Sequence, residues 1–195
     1  MGLLINQILR KMEQELMDGR LQVGEFKPKV SGCCLAATGK WLCEPEKVEN
    51  GDEDVWKDIQ RIQEKYEEEY RGKEVVYSPE FLDREFTQLT NMHKKQEFKL
   101  TSTDLYTEIT TQLSNSMYRC HAAIILGHKS GEAHYIGVII EDEICKFFDA
   151  NEGFCTINNR ITFRRFIEYY VDEKICGLLK QHYTDFQVVL FNWDM

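Results

Sequence analysis

The spacing of apolar residues changes character once along the chain. Up to about residue 117 they recur every three or four positions, the period of helices with one buried face. Leu3, Leu4, Ile5, Ile8, Leu9, Met12, Leu16 and Met17 form the first such stripe and predict an amphipathic helix packed on the rest of the chain. Gly24 to Gly32, with Pro28, reads as a polar connector. Cys34 to Cys43 predicts a short helix containing Leu35, Ala36 and Ala37, closed off by Pro45, Asn50 and Gly51. Asp52 to Tyr70 predicts a charged helix with Val55, Ile59, Ile62 and Tyr66 on one face and Glu64, Glu67, Glu68 and Glu69 on a solvated one. Ser78-Pro79-Glu80 opens a helix that turns Phe81, Leu82, Phe86 and Leu89 inward, with Pro in its first turn. Thr101 to Asn115 predicts another, with Ser and Thr available as caps.

After Met117 the runs become short and β-rich: Cys120 to Leu126, His134 to Ile140, Ile144 to Phe148 and Phe186 to Phe191. Between the last two, Ile161 to Lys180 has helical spacing, with Phe163, Phe166, Ile167, Tyr170, Ile175, Leu178 and Leu179 apolar. Helices first, then an antiparallel sheet with one inserted helix, is an α+β arrangement. The expected organisation is an N-terminal helix and connector over 1–30 and one domain over 31–195, its helical part 34–117 and its sheet part 118–195.

Composition narrows the function classes. A chain of 195 residues with 43% apolar content builds a packed core. Lys and Arg number 24 against 33 Asp and Glu, and the net charge of −9 argues against nucleic acid as a partner. No apolar run reaches the length of a membrane span, so no integral membrane segment is expected. The N-terminal stretch lacks the core of a signal peptide, and Asn6 departs from a myristoylation start at Met1-Gly2. Seven cysteines, two of them adjacent (Cys33 and Cys34), are an odd set that does not read as a disulfide framework and points to a reducing compartment. None has zinc-ligand spacing, and neither metal nor cofactor is expected.

Three places carry candidate chemistry. Gly32-Cys33-Cys34 stands where a helix is predicted to begin. A thiol there lies at the positive end of the backbone dipole, which favours the nucleophilic thiolate, and free N–H groups can hold an oxyanion. Filling core space is the commoner role of a cysteine. His134 enters a strand in which it shares a face with Ile136, Val138 and Ile140; a satisfied core histidine is the alternative. Asp149 ends Lys146-Phe147-Phe148-Asp149, where an Asx turn would also explain it. A hairpin with its turn at Glu141-Asp142 places His134 opposite Asp149, and a three-residue turn moves Asp149 opposite Tyr135. A helix-start Cys, a distant His and an Asp beside it form a nucleophile, base and orienting-group scheme. His121, inside an apolar strand with no acidic residue at a useful offset, and His128, in an expected turn from Gly127 to Gly131, are rival bases.

These motifs resemble the YopT/AvrPphB-type cysteine proteases, papain-like effectors that bacteria deliver into host cells. The resemblance rests on Gly32-Cys33-Cys34 with Trp41 seven residues after Cys34, on Ala133-His134 leading an apolar strand, and on Phe147-Phe148-Asp149-Ala150-Asn151-Glu152-Gly153. Ala150 stands where the family usually has Pro. The match runs from about Gly32 to the end, with 52–115 unconstrained.

The resemblance implies a papain-like fold, Cys34 rather than Cys33 as nucleophile, His134 as general base and then acid, and Asp149 orienting His134. Gln22, twelve residues before Cys34, is the sole Gln or Asn between the N-terminal stripe and Cys34 and so the candidate there for a papain-like second oxyanion donor. The implied activity is a thiol hydrolase cleaving a host protein, such as a small GTPase or a kinase, after secretion into the host cytoplasm as a virulence factor. The same triad also serves lysine fatty acylation and glutamine deamidation, and a non-catalytic binding module on the same scaffold is the other class.

Overall fold

The computed structural model describes residues 3–12, 21–27, 32–71, 79–90, 92–100, 105–115, 119–128, 133–173 and 183–193. Its frame is one seven-stranded antiparallel sheet: β1 (Leu21–Gly24), β2 (Met92–Leu100), β3 (Arg119–His128), β4 (Ala133–Glu141), β5 (Ile144–Asp149), β6 (Gly153–Ile157) and β7 (Tyr183–Trp193), in the spatial order β1-β6-β5-β4-β3-β7-β2. Among the described residues seven α-helices accompany it: α1 (Leu3–Met12), α2 (Cys34–Cys43), α3 (Pro45–Glu49), α4 (Glu53–Tyr70), α5 (Pro79–Thr90), α6 (Leu105–Asn115) and α7 (Arg160–Tyr170).

Strand alternation divides the interior in two. Ile136, Val138, Ile140 and Phe147 turn to one side, where they pack with Ile5 and Ile8 of α1, Ile109 of α6 and Phe163, Phe166 and Tyr170 of α7. Tyr135, Ile139 and Phe148 turn to the other, against Leu35, Trp41 and Leu42 of α2 and Ile59 and Ile62 of α4. The sheet is thus covered on both faces, which is why β3 and β4 read as nearly unbroken apolar runs. An apolar cavity of about 110 Å³ lies in the first of these layers, lined in part by Leu113, Ile140, Phe163 and Ile167.

The central helix is α2, in which every residue from Leu35 to Cys43 is buried. Its single cation, Lys40, survives burial because Glu44 and Asp58 stand 2.6 and 2.8 Å from its ammonium. The helix lies close on β4 because residue 137 is a glycine: a Cβ there would come within 2.7 Å of the Trp41 ring. Trp41 stacks on Phe148 at 5.2 Å and donates from its indole nitrogen to Glu49 at 2.9 Å. Thr38 ties the helix to the strand, its hydroxyl donating to the Tyr135 carbonyl at 3.0 Å.

The helices expected over Cys34–Cys43 and Asp52–Tyr70, from Ser78-Pro79-Glu80 onward, and over Thr101–Asn115 form, the third as Pro79–Thr90 and the last within Leu105–Asn115; residues 78 and 101–104 lie outside the described set. Asp52 caps α4 by accepting from the Asp54 N–H at 2.9 Å. The long helix expected over 161–180 is α-helical from Arg160 to Tyr170, and 174–180, with Ile175, Leu178 and Leu179, lies outside the described residues. The N-terminal helix forms over Leu3–Met12, whereas Leu16 and Met17 lie outside.

Three strands depart from expectation. The first, β1, lies within the expected N-terminal helix and connector, and β2 within the expected helical part; β6 follows Asp149, where the sequence predicts only a turn. The sheet therefore draws on both halves of the chain, and the division into a helical part 34–117 and a sheet part 118–195 does not hold strictly.

Candidate functional site

Cys34 is the first residue of α2. Gly32, at φ +74°, turns the chain into the helix, and Cys33 occupies the capping position without a side-chain hydrogen bond. The two adjacent thiols have different surroundings. Cys33 is buried, and burial, followed by the neighbouring Cys34, pushes its thiol up to about 11. Cys34 is half-buried, and its Sγ donates to the Ala133 carbonyl oxygen at 3.5 Å. The thiol therefore meets β4 at the residue before His134. As the first residue of a helix, Cys34 also has a backbone N–H with no partner inside that helix.

His134 and Asp149 are both buried, the latter completely. Their approach comes from a register that differs from both expected ones. The two turn residues are Asp142 and Glu143, so Glu141 pairs with Ile144 and Asp149 stands opposite Ile136. Asp142 adopts φ +53°, a left-handed conformation that Asp tolerates better than most residues. The expected turn lay one residue earlier. That slip changes each pairing by two positions and so keeps Asp149 on the face of His134, as a diagonal rather than a direct neighbour.

Across this diagonal, His134 Nε2 lies 3.0 Å from Asp149 Oδ2. The nitrogen has no acceptor along its N–H direction, so the contact is a close, off-line ion pair. Burial opposes the imidazolium, but the Asp149 charge and hydrogen-bonding capacity, reinforced by Cys34, outweigh it and raise His134 to about 10. The Cys34 thiol is thus near enough to act on the ring.

Asp149 is fixed at both oxygens. Oδ1 accepts from the Asn151 N–H at 2.8 Å, which is the expected Asx turn, and the Asp149 carbonyl accepts from the Glu152 N–H at 3.0 Å. Oδ2, the oxygen facing His134, also accepts from the Tyr170 hydroxyl. Turn geometry and an imidazole contact, weighed as alternatives from the sequence, coexist in one side chain. The helical spacing predicts Tyr170 only as part of an apolar helix face. The missed signal is its hydroxyl, since a tyrosine on a buried stripe must find a polar partner.

The rival histidines are placed elsewhere. His121 is buried on β3, with Nδ1 2.9 Å from the Leu42 carbonyl oxygen and Nε2 3.9 Å from Glu141 Oε1. An acidic neighbour therefore exists, contrary to expectation, supplied by the adjoining strand. Burial nonetheless dominates and lowers the His121 pKa. His128 is the last residue of β3 rather than part of a turn, and 129–132 lie outside the described residues. Gln22 sits in β1, exposed and opposite Thr156. Three strand spacings, about 14 Å, separate β1 from β4, which removes Gln22 as a second oxyanion donor.

Among the described residues no group of three or more His, Cys, Asp or Glu side chains is arranged to hold a metal ion. The six described cysteines are free thiols, and Cys176 lies outside the described residues. No described helix is long and apolar enough to cross a membrane.

No family model matches the sequence, and no curated protein matches it. The structure is similar to the crystal structure of the Pseudomonas avirulence protein AvrPphB, with a TM-score of 0.66. The alignment covers 88% of this chain and 97% of that one, at 10% sequence identity. The chain therefore has the α+β, papain-like fold expected from its motifs.

Proposed function

We propose that the chain is a cysteine protease that cleaves a protein through a thioester intermediate, with Cys34 as nucleophile, His134 as base and acid, and Asp149 as the group that orients His134. The observation carrying this reading is the convergence of three separate elements. The start of α2, the start of β4 and the end of β5 bring a thiol, an imidazole and a carboxylate together, with His134 Nε2 3.0 Å from Asp149 Oδ2. The contrast between the buried, proton-retaining Cys33 and the half-buried Cys34 supports the choice of thiol.

In this mechanism His134 holds the proton of the Cys34 thiol as the imidazolium, and Sγ attacks the scissile carbonyl carbon. The Cys34 backbone N–H faces the developing oxyanion. The His134 imidazolium gives its proton to the leaving nitrogen as the C–N bond breaks, leaving a thioester. Water, deprotonated by His134, adds to that thioester; the C–S bond breaks, a carboxylate leaves and the thiolate is restored. Acyl transfer to lysine shares the first half and differs in the acceptor. The apolar cavity lies in the sheet layer opposite the one that holds Cys34, so it does not serve as an acyl groove at this thiol.

The substrate we infer is a host-cell protein, with a small GTPase or a kinase as the first classes to test, and the setting is that of a bacterial effector secreted into the host cytoplasm. The motif resemblance and the fold shared with an avirulence protein support that setting. The test incubates wild type and Cys34→Ala with host-cell lysate and compares them by mass spectrometry. New protein termini that depend on Cys34 are expected. Acylated lysines in their place would redirect the assignment to acyl transfer, and neither product together with an unreactive Cys34 would overturn it.

A further inference from the structure

We propose that Tyr170 is a positioning residue for the His134–Asp149 pair, its hydroxyl holding Oδ2 at the point where the imidazole is met. The inference rests on the proposed role of Asp149 and adds a fourth side chain from a different layer. Tyr170 is the last residue of α7, buried, with its ring against Phe147 at 4.6 Å. Phe147 lies two residues before Asp149 on β5, so one strand supplies both the packing surface and the acceptor. The hydroxyl donates to Oδ2, while Oδ1 is occupied by the Asn151 N–H.

A carboxylate rotates about a single torsion. One donor on Oδ1 leaves that torsion soft, whereas a second donor on Oδ2 from another element fixes it. Tyr170 and His134 share the same oxygen. The phenol is well suited to remain a donor: burial and the Asp149 charge, with smaller contributions from Glu152 and Tyr183, hold its pKa well above the ordinary value. Among the described residues, the charged and titratable groups acting on His134 are Asp149 from β5 and Cys34 from α2.

The expected consequence concerns the thiol. With Oδ2 released, the imidazole is held less firmly and stabilises the Cys34 thiolate less well. The experiment measures the pH dependence of Cys34 alkylation, read by peptide mass spectrometry, in wild type, Tyr170→Phe and His134→Ala. Tyr170→Phe keeps the ring and removes one oxygen. Its midpoint should move toward that of His134→Ala by about 0.3–1 pH unit, with a urea unfolding midpoint near wild type.

A midpoint equal to wild type in folded Tyr170→Phe, alongside a clear shift in His134→Ala, overturns the role of Tyr170 and leaves the proposed function standing. No shift in His134→Ala overturns the proposed function itself. A measurement on the unaltered chain covers the case in which Tyr170→Phe does not fold. The Tyr170 hydroxyl proton should give a slowly exchanging low-field NMR resonance that moves as His134 titrates, because both act on one oxygen. A hydroxyl resonance indifferent to that titration also overturns the proposal.

Discussion

Replacing Gly137 by Ala tests whether α2 is seated as closely on β4 as the geometry requires. The added Cβ would lie 2.7 and 2.8 Å from two carbons of the Trp41 ring and 3.5 Å from Thr38 Cγ2. Carbon atoms in comfortable contact stand about 3.5–4.0 Å apart, so the ring must retreat by roughly 0.8 Å. It has little room to do so: Trp41 is completely buried, stacked on Phe148 and hydrogen-bonded to Glu49. Overpacking of this kind costs about 1–3 kcal/mol. The lower unfolded-state entropy of Ala returns about 0.4–1 kcal/mol, for a net loss of about 1–2 kcal/mol.

With a urea slope of about 2 kcal/mol/M, that loss lowers the unfolding midpoint by roughly 0.5–1 M. If α2 lifts, Cys34 moves with it, and its alkylation near neutral pH should slow. Trp41→Leu makes room for the methyl group, so Gly137→Ala should cost less in that background than alone. A Gly137→Ala protein as stable as wild type, labelled at the same rate and additive with Trp41→Leu would refute the close seating of α2.

Cys33→Ser should leave alkylation and turnover within a few-fold of wild type, whereas Cys34→Ser should abolish both; the reverse pattern, read by peptide mapping, would exchange their roles. Asp149→Asn should lower kcat/KM by at least about 100-fold while reducing Cys34 labelling far less, since the thiol remains and imidazole orientation is lost; equal losses would contradict that division. The His134 pKa is raised in the folded state to about 10, so its stabilising contribution is fully present below the ordinary value of about 6.5 and disappears as pH rises through about 10. The stability difference between wild type and His134→Gln should therefore shrink across that alkaline window, as followed by urea unfolding at a series of pH values, and a constant difference would contradict the ion pair.

The sequence made the interior of the fold easier to read than its margins. The face of α4 shows because Val55, Ile59 and Ile62 are buried at helical spacing, and β3, β4, β5 and β7 show because each is a dense apolar run. In contrast, β2 is the strand Met-His-Lys-Lys-Gln-Glu-Phe-Lys-Leu, which among the described residues is an edge paired with β7. Lysines suit an exposed edge but erase the alternation by which strands are recognised. Short strands such as β1 and β6 offer four and five residues, too few for a period to emerge.

At the site, the residue types and their order were legible, and the β4–β5 register was not. A two-residue turn fits Glu141-Asp142 and Asp142-Glu143 equally well by composition. Only the left-handed conformation at Asp142 distinguishes them. The role of Glu141 beside His121 was hidden for a similar reason, because it depends on a strand pairing rather than on an offset within one strand.

The two cores have a consequence for how activity would be lost. Cys34 packs with the α2–α4 layer, while Tyr170, which reaches Asp149, belongs to the α1–α6–α7 layer. The thiol and the residue that holds the carboxylate are therefore anchored to opposite sides of the sheet, with β4 and β5 between them. The proposed activity would then act as a coincidence detector, registering only when both layers are intact at once. On heating, turnover should fail at the melting of whichever layer loosens first, even while the other still reports native structure.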